Sequence, residues 1–225
     1  MLDTYKFIEK YKRISIIGME KNVGKTTLLN KLIADIGKTK KLGLTSIGRD
    51  GEDIDVVTNT DKPRIYVRKG SIIATGRNCL AKCDITKEIL YVTDFTTPMG
   101  SIVLIRALSD GYVDIAGPSY NKQVKIIVEL MEKFGSEISI VDGALGRKST
   151  AISDVSEATI LSTGAALSLD MLKVVEETKK TVYFLRLEEI DKNIKEKIKE
   201  FKDEKAVLFY KNGEVAILEV DNSID

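Results

Sequence analysis

Gly24-Lys25-Thr26 is the stretch of this 225-residue chain whose residue types point most directly to chemistry. Backbone N–H groups of a loop and of a first helical turn can converge on a phosphate only where side chains stand clear, which is the use of Gly24. Lys25 then reaches the outer phosphates as a point charge, and the Thr26 hydroxyl coordinates magnesium. Gly18, Asn22, Val23, Gly24, Lys25, Thr26 and Thr27 form the candidate nucleotide-binding set, with Lys25 also acting on the transferred phosphate.

The elements that must position these residues are legible around them. Ile14 to Ile17 is a short apolar run, and Leu28, Leu29, Leu32, Ile33 and Ile36 recur at helical spacing after the loop. Strand, glycine-containing loop and helix in that order are the parts of a P-loop, and the helix macrodipole adds positive potential at the same spot. The standard spacing places the first glycine where this chain has Met19, and Gly18 lies one residue earlier. The bland alternative is a chance Gly-Lys-Thr in an ordinary strand-to-helix turn.

A second informative strand, Glu137 to Asp142, runs through Ile138, Ile140 and Val141 into Asp142-Gly143-Ala144-Leu145-Gly146-Arg147. An acidic residue ending a buried strand is the position that holds magnesium in P-loop NTPases, so Asp142 joins Thr26 as candidate metal ligand. Gly143 leaves room for phosphate. The alternative role for Asp142 is to cap the following turn. Leu42 to Gly48 reads as another buried strand, delivering Arg49-Asp50-Gly51-Glu52-Asp53 to the sheet edge where ligands bind in open α/β folds. Asp50, Glu52 or Asp53 could orient magnesium or an attacking water there, with Asp50 the candidate for the water; a polar loop of ordinary composition is the competing account. Arg147 and Lys148 could act across a subunit contact.

Composition bounds the rest. With 43% apolar residues the chain can bury a full core as one α/β domain, residues 1–225. A net charge of +1 from interspersed charges gives no case for nucleic acid, and no apolar run approaches a membrane span. The charged start, Met1 to Arg13, lacks the apolar centre of a signal peptide, and Tyr5, Ile8 and Tyr11 can pack on the body. Two cysteines are too few for a disulfide framework, which makes a cytoplasmic location the expectation. Cys79 and Cys83 could supply half of a metal site completed by a second chain in a homodimer; small buried residues are the plainer reading. Histidine is absent, which excludes histidine acid–base chemistry and histidine metal sites.

Along the remainder, Gly37 is the expected C-cap of the first helix. Residues 62–117 read as a hairpin-rich insertion. Arg64–Val67 is expected to turn onto Ser71–Ala74 at Lys69-Gly70. After the strand Ile89 to Phe95, Ser101–Leu108 is expected to pair with Tyr112–Ala116 across Asp110-Gly111. Ser119 is the expected N-cap of a helix burying Val124, Ile127, Val128, Met131 and Phe134. Ala158 to Thr163 reads as a buried strand, followed by a helix with Met171, Leu172 and Val175 inward, and Val182 to Leu185 reads as a strand. Ile190, Ile194, Ile198 and Phe201 make one helical stripe, and residues 206–220 form a hairpin around Asn212-Gly213, expected at a sheet edge.

This order predicts an α/β fold: a doubly wound, mainly parallel sheet with antiparallel hairpin additions. With the motifs included, the chain resembles the P-loop NTPase branch of dethiobiotin synthetase and cobyric acid synthase. Dethiobiotin synthetase has the same interval between its first loop glycine and Gly-Lys-Thr as separates Gly18 from Gly24, and its acidic-Gly-Ala pattern looks like Asp142-Gly143-Ala144. The extra lysine of the MinD-type loop is replaced here by Glu20. Asn-Lys-x-Asp and Thr-Lys-x-Asp guanine motifs are missing, which leaves ATP as the expected nucleotide. Ile47-Gly48-Arg49-Asp50 stands where dethiobiotin synthetase has a substrate-handling lysine, which counts against the same carboxylation-linked chemistry.

Longer segments, Leu42 to Glu52, Ala116-Gly117-Pro118-Ser119 and Val141 to Ser149, are similar to the KamB-like family, the small subunits of the lysine 5,6-aminomutase reactivase. That resemblance implies an ATP- and magnesium-dependent factor acting on an adenosylcobalamin-dependent aminomutase, with a larger reactivase subunit as partner. The residues themselves leave two other classes open. One is a small-molecule kinase or ligase, with Arg64, Arg68 and Arg77 near an anionic substrate. The other is a nucleotide-binding regulatory subunit that does not hydrolyse.

Overall fold

The computed structural model describes residues 7–48, 64–143, 155–187, 190–210 and 212–218. Asp50, Glu52 and Asp53 lie outside these, as do Arg49, Arg147, Lys148 and Tyr5.

The first strand, β1 (Arg13–Gly18), shows why an unbroken apolar run suits its place: it has a parallel neighbour on each side, so Ile14, Ile16 and Ile17 are all fully buried. After the loop comes helix α1 (Lys25–Ile36), which ends at Gly37 as expected. Strands β2 (Leu42–Ser46), β4 (Ile72–Gly76), β5 (Lys87–Thr97), β6 (Gly100–Ala107), β8 (Ile138–Asp142) and β9 (Ala158–Ser162) complete a seven-stranded sheet in the order β5-β6-β4-β2-β8-β1-β9. From β4 to β9 every pairing is parallel, while β6 runs antiparallel to both β4 and β5.

Alternation along the strands sends side chains to two apolar layers. Ile14, Ile16, Leu44 and Ile140 meet Leu29, Leu32, Ile33 and Ile36 of α1. Ile72, Ala74, Leu104 and Val141 meet Val124, Ile127, Val128 and Met131 of helix α2 (Asn121–Lys133). A mainly parallel sheet covered by helices on both faces is compatible with a doubly wound α/β fold. Arg13 ties β1 to α2, its Nε and a terminal nitrogen donating to both Glu132 carboxylate oxygens at 2.7 and 2.8 Å. Ile8 is buried in the α1 layer and Tyr11 packs against it.

Several expected pairings are rearranged. Strand β3 (Ile65–Val67) does not pair with β4, and β6 does not pair with β7 (Gly111–Val113); instead β3 and β7 form a separate antiparallel pair. The reason is edge availability. β4 is already flanked by β2 and β6, and β6 by β4 and β5, so neither has an edge left to offer. Asp110 accepts a hydrogen bond from the Lys69 amide (2.8 Å), tying two turns together instead of closing a two-residue hairpin. The N-cap of α2 is Tyr120, not Ser119, and no side chain caps it.

β9 is an edge strand with one neighbour, so it is half-exposed and not buried. Helix α3 (Met171–Leu185) follows, and Val182 to Leu185 is its last turn, not a strand. Met171 and Leu172 are 74% and 68% exposed, and Val175 is exposed too, so the expected inward face is not buried.

The chain divides within α3 into two units, Met1–Thr181 and Val182–Asp225. In the second, helix α4 (Lys192–Ile198) carries the expected stripe, and Ile190, Ile194, Ile198 and Phe201 face Ala206, Val207 and Phe209 across a groove. Strands β10 (Val207–Phe209) and β11 (Val215–Ile217) form the expected hairpin, with Gly213 at φ 90°, as a two-stranded sheet of their own and not at the edge of another. Among the described residues, no helix is long and apolar enough to cross a membrane.

Candidate functional site

The loop between β1 and α1 uses backbone conformations that its residue types permit. Asn22 has φ 60° and Gly24 φ 85°, both left-handed, a region that glycine occupies freely and asparagine more readily than most residues. Gly24 is the N-cap of α1, and its carbonyl accepts the Leu28 amide at 2.9 Å. No side chain caps this helix and its first turn holds no acid. Helix α2 likewise starts with no side-chain cap and no acid in its first turn, while in α3 and α4 Asp170 and Asp191 accept the Leu172 and Asn193 amides. What sets the start of α1 apart is a left-handed glycine at the N-cap with Lys25, Thr26 and Thr27 in the first turn, where the helix amides carry partial positive charge.

The displaced glycine has a steric explanation. A Cβ added to Gly18 would lie 2.7 Å from Val23 Cγ2 and 2.8 Å from Lys25 Cδ. The bare Cα lets buried Val23 seat the loop and lets the Lys25 stem cross the end of β1 towards β8. Lys25 Nζ donates to the Gly143 carbonyl at 3.0 Å. Met19, where the standard motif has glycine, continues the β1 ladder by donating its amide to Ser162 at the end of β9 (2.9 Å).

Asp142 ends β8 in register with Ile16 of β1 on one side and Ser46 of β2 on the other. The Gly143 amide donates to Ile16 (2.9 Å) and the Ile47 amide to Asp142 (2.8 Å), so this corner is stitched through the backbone. Lys25, at the start of the helix that follows β1, and Asp142, at the end of β8, therefore reach the same end of the sheet from segments far apart in sequence. A Cβ on Gly143 would meet Ile17 and Ile47 at 3.6 Å, an ordinary contact, so packing alone does not demand glycine there.

A strap with no motif to announce it in the sequence closes the far side of this end of the sheet. Ala116, Gly117 and Pro118 run over the ends of β4 and β2. The Ala116 amide donates to Thr75 Oγ1 (2.9 Å), the Gly117 amide to Ser46 Oγ (2.9 Å), and the Gly48 amide to the Pro118 carbonyl (3.0 Å). The signal for it in the sequence is Gly117 itself, a glycine directly ahead of proline.

The other candidates lie elsewhere. Cys79 and Cys83 are both buried, with Cys83 Sγ donating to the Cys79 carbonyl at 3.3 Å, and burial pushes the Cys83 thiol pKa up. Arg64 pairs with Asp84 (2.7 Å) and lies over the Tyr112 ring; the pair raises the guanidinium pKa and holds the Asp84 carboxyl below its usual range. Arg68 faces Asp110 at 4.0 Å. Among the described residues no cluster of three or more His, Cys, Asp or Glu could by itself hold a metal.

Comparison with family models, curated proteins and solved structures found no match to this chain.

Proposed function

We propose that this protein is a P-loop NTPase that binds ATP with magnesium at the shared end of β1, β8 and β2, and hydrolyses it to drive a conformational change in a protein client. The observation that carries this reading is the placement of Lys25, at an uncapped helix start, against Gly143, the residue after Asp142. Amides and one ammonium suit a triphosphate. The donor set also fits the metal. Magnesium prefers oxygen ligands and is usually held by one or two carboxylates together with phosphates and water; Asp142 offers one carboxylate and Thr26 a hydroxyl oxygen, leaving the remaining positions to phosphate and water. Bound there, it would neutralise charge on the phosphates. ATP is chosen over GTP because guanine-reading motifs are missing from the sequence. The client, an adenosylcobalamin-dependent aminomutase served together with a larger reactivase subunit, rests on the sequence resemblance alone.

Titration calorimetry tests the core of the reading. Lys25→Ala should remove a charge-assisted contact worth about 1.5–3 kcal/mol, roughly a ten- to hundredfold loss of Mg-ATP affinity. Unchanged affinity would overturn the site. Phosphate release stimulated by a purified aminomutase would support the client; turnover that needs a metabolite instead would make the protein a kinase or ligase.

A further inference from the structure

We propose that the Gly143 carbonyl is the resting acceptor for Lys25 and surrenders it to the triphosphate, so that nucleotide occupancy is registered as a lost bond at the end of β8. This rests on the nucleotide reading above and adds to it a device for reporting occupancy.

The ammonium is held by a neutral carbonyl at 3.0 Å. Phosphate oxygens carry charge and out-compete such an acceptor, and a lysine head on a flexible stem can swing between the two. The rest of the corner is fixed independently: the Gly143 amide stays on Ile16, and the Asp142 carbonyl stays on the Ile47 amide. The exchange therefore changes the hold on one carbonyl, next to the carboxylate proposed for magnesium, and leaves the strand end anchored. Gly18 permits the crossing, since a side chain there would collide with the Lys25 stem.

Carbonyl NMR of protein labelled with carbonyl-13C glycine tests this. Gly143→Ala assigns the signal by its disappearance, and the 3.6 Å spacing around the added Cβ keeps the fold. Losing a cationic donor moves a carbonyl carbon to lower frequency. Ligand-free Lys25→Met should therefore shift the Gly143 signal that way, and Mg-ATP should shift the wild-type signal in the same direction. Calorimetry on the same wild-type sample separates the failures. If Mg-ATP binds and the signal stays, the exchange is wrong and the nucleotide site stands. A signal unmoved by Lys25→Met shows that the resting bond is absent in solution and removes the proposal. If Mg-ATP does not bind, both readings fall.

Discussion

A Cβ on Gly117 would lie 1.8 Å from the Ser46 carbonyl oxygen, so the strap and the end of β2 meet backbone to backbone. The approach is locked by the Gly117 amide on Ser46 Oγ. Because backbone stands on both sides, no flexible side chain can yield. Gly117→Ala should cost about 3 kcal/mol or more, the upper end for overpacking, measured by urea unfolding. Stability equal to wild type would mean that the strap does not sit on β2.

Gly18 makes a contrasting case, since what a side chain would strike there is Val23 and the stem of Lys25. Those groups can shift, so Gly18→Ala should fold with a loss of about 1 kcal/mol and a greater cost to binding. With the lysine displaced, Mg-ATP affinity should fall roughly tenfold, since a hydrogen bond to a charged group contributes about 1.5–3 kcal/mol. Calorimetry showing wild-type affinity in a folded Gly18→Ala protein would refute the path assigned to Lys25.

Glu137 ties the start of β8 to the turn before β2. Its carboxylate accepts from the Lys41 amide (2.9 Å) and from Lys40 Nζ (3.0 Å), which hold its pKa below the usual glutamate value. With the folded pKa depressed, the unfolded chain binds more protons in the interval between the two values, so stability rises with pH there. The contribution is complete above the unfolded pKa and disappears as pH falls through the folded one. The side chain is 44% exposed, so water screens the pair and Glu137→Gln should cost only about 0.5–1 kcal/mol at neutral pH. Urea titrations from neutral to acid pH should show the two proteins converging. A constant gap would rule out the ionic origin.

Neither thiol should react with a bulky disulfide reagent while the protein is folded. Cys79 is fully buried, and Cys83 is nearly so, with its thiol pKa raised by desolvation, so both thiolate population and access are low. Both should titrate in denaturant. Rapid labelling of the native protein at Cys83 would show that the short helix Arg77–Lys82 ahead of it opens readily.

The run from β1 through α1 was legible because its determinants are local. An apolar run, a glycine tolerant of positive φ and an apolar stripe from Leu28 to Ile36 each act within a few residues of one another. The buried face of α2, the stripe on α4 and the turn at Gly213 were readable for the same reason. Asp142 was legible as the polar end of an apolar strand, while Asp50 lies outside the described residues.

Strand partners were not legible, because pairing is a competition for edges. The Asp110-Gly111 turn carries a local hairpin signal, yet both edges of β6 are occupied, so β7 finds β3. Burial of β9 was over-read because an apolar strand looks the same at a sheet's centre and at its margin, and only the number of neighbours separates the two. The sequence by itself determined the strand, glycine loop and helix around Gly24-Lys25-Thr26 and the polar end of β8. Tertiary structure alone decided that Lys25 meets Gly143 across 118 residues of chain, and that Gly117 rests on Ser46. Those contacts depend on sheet order, which is settled by filling every edge and covering both faces at once and is written in no single segment.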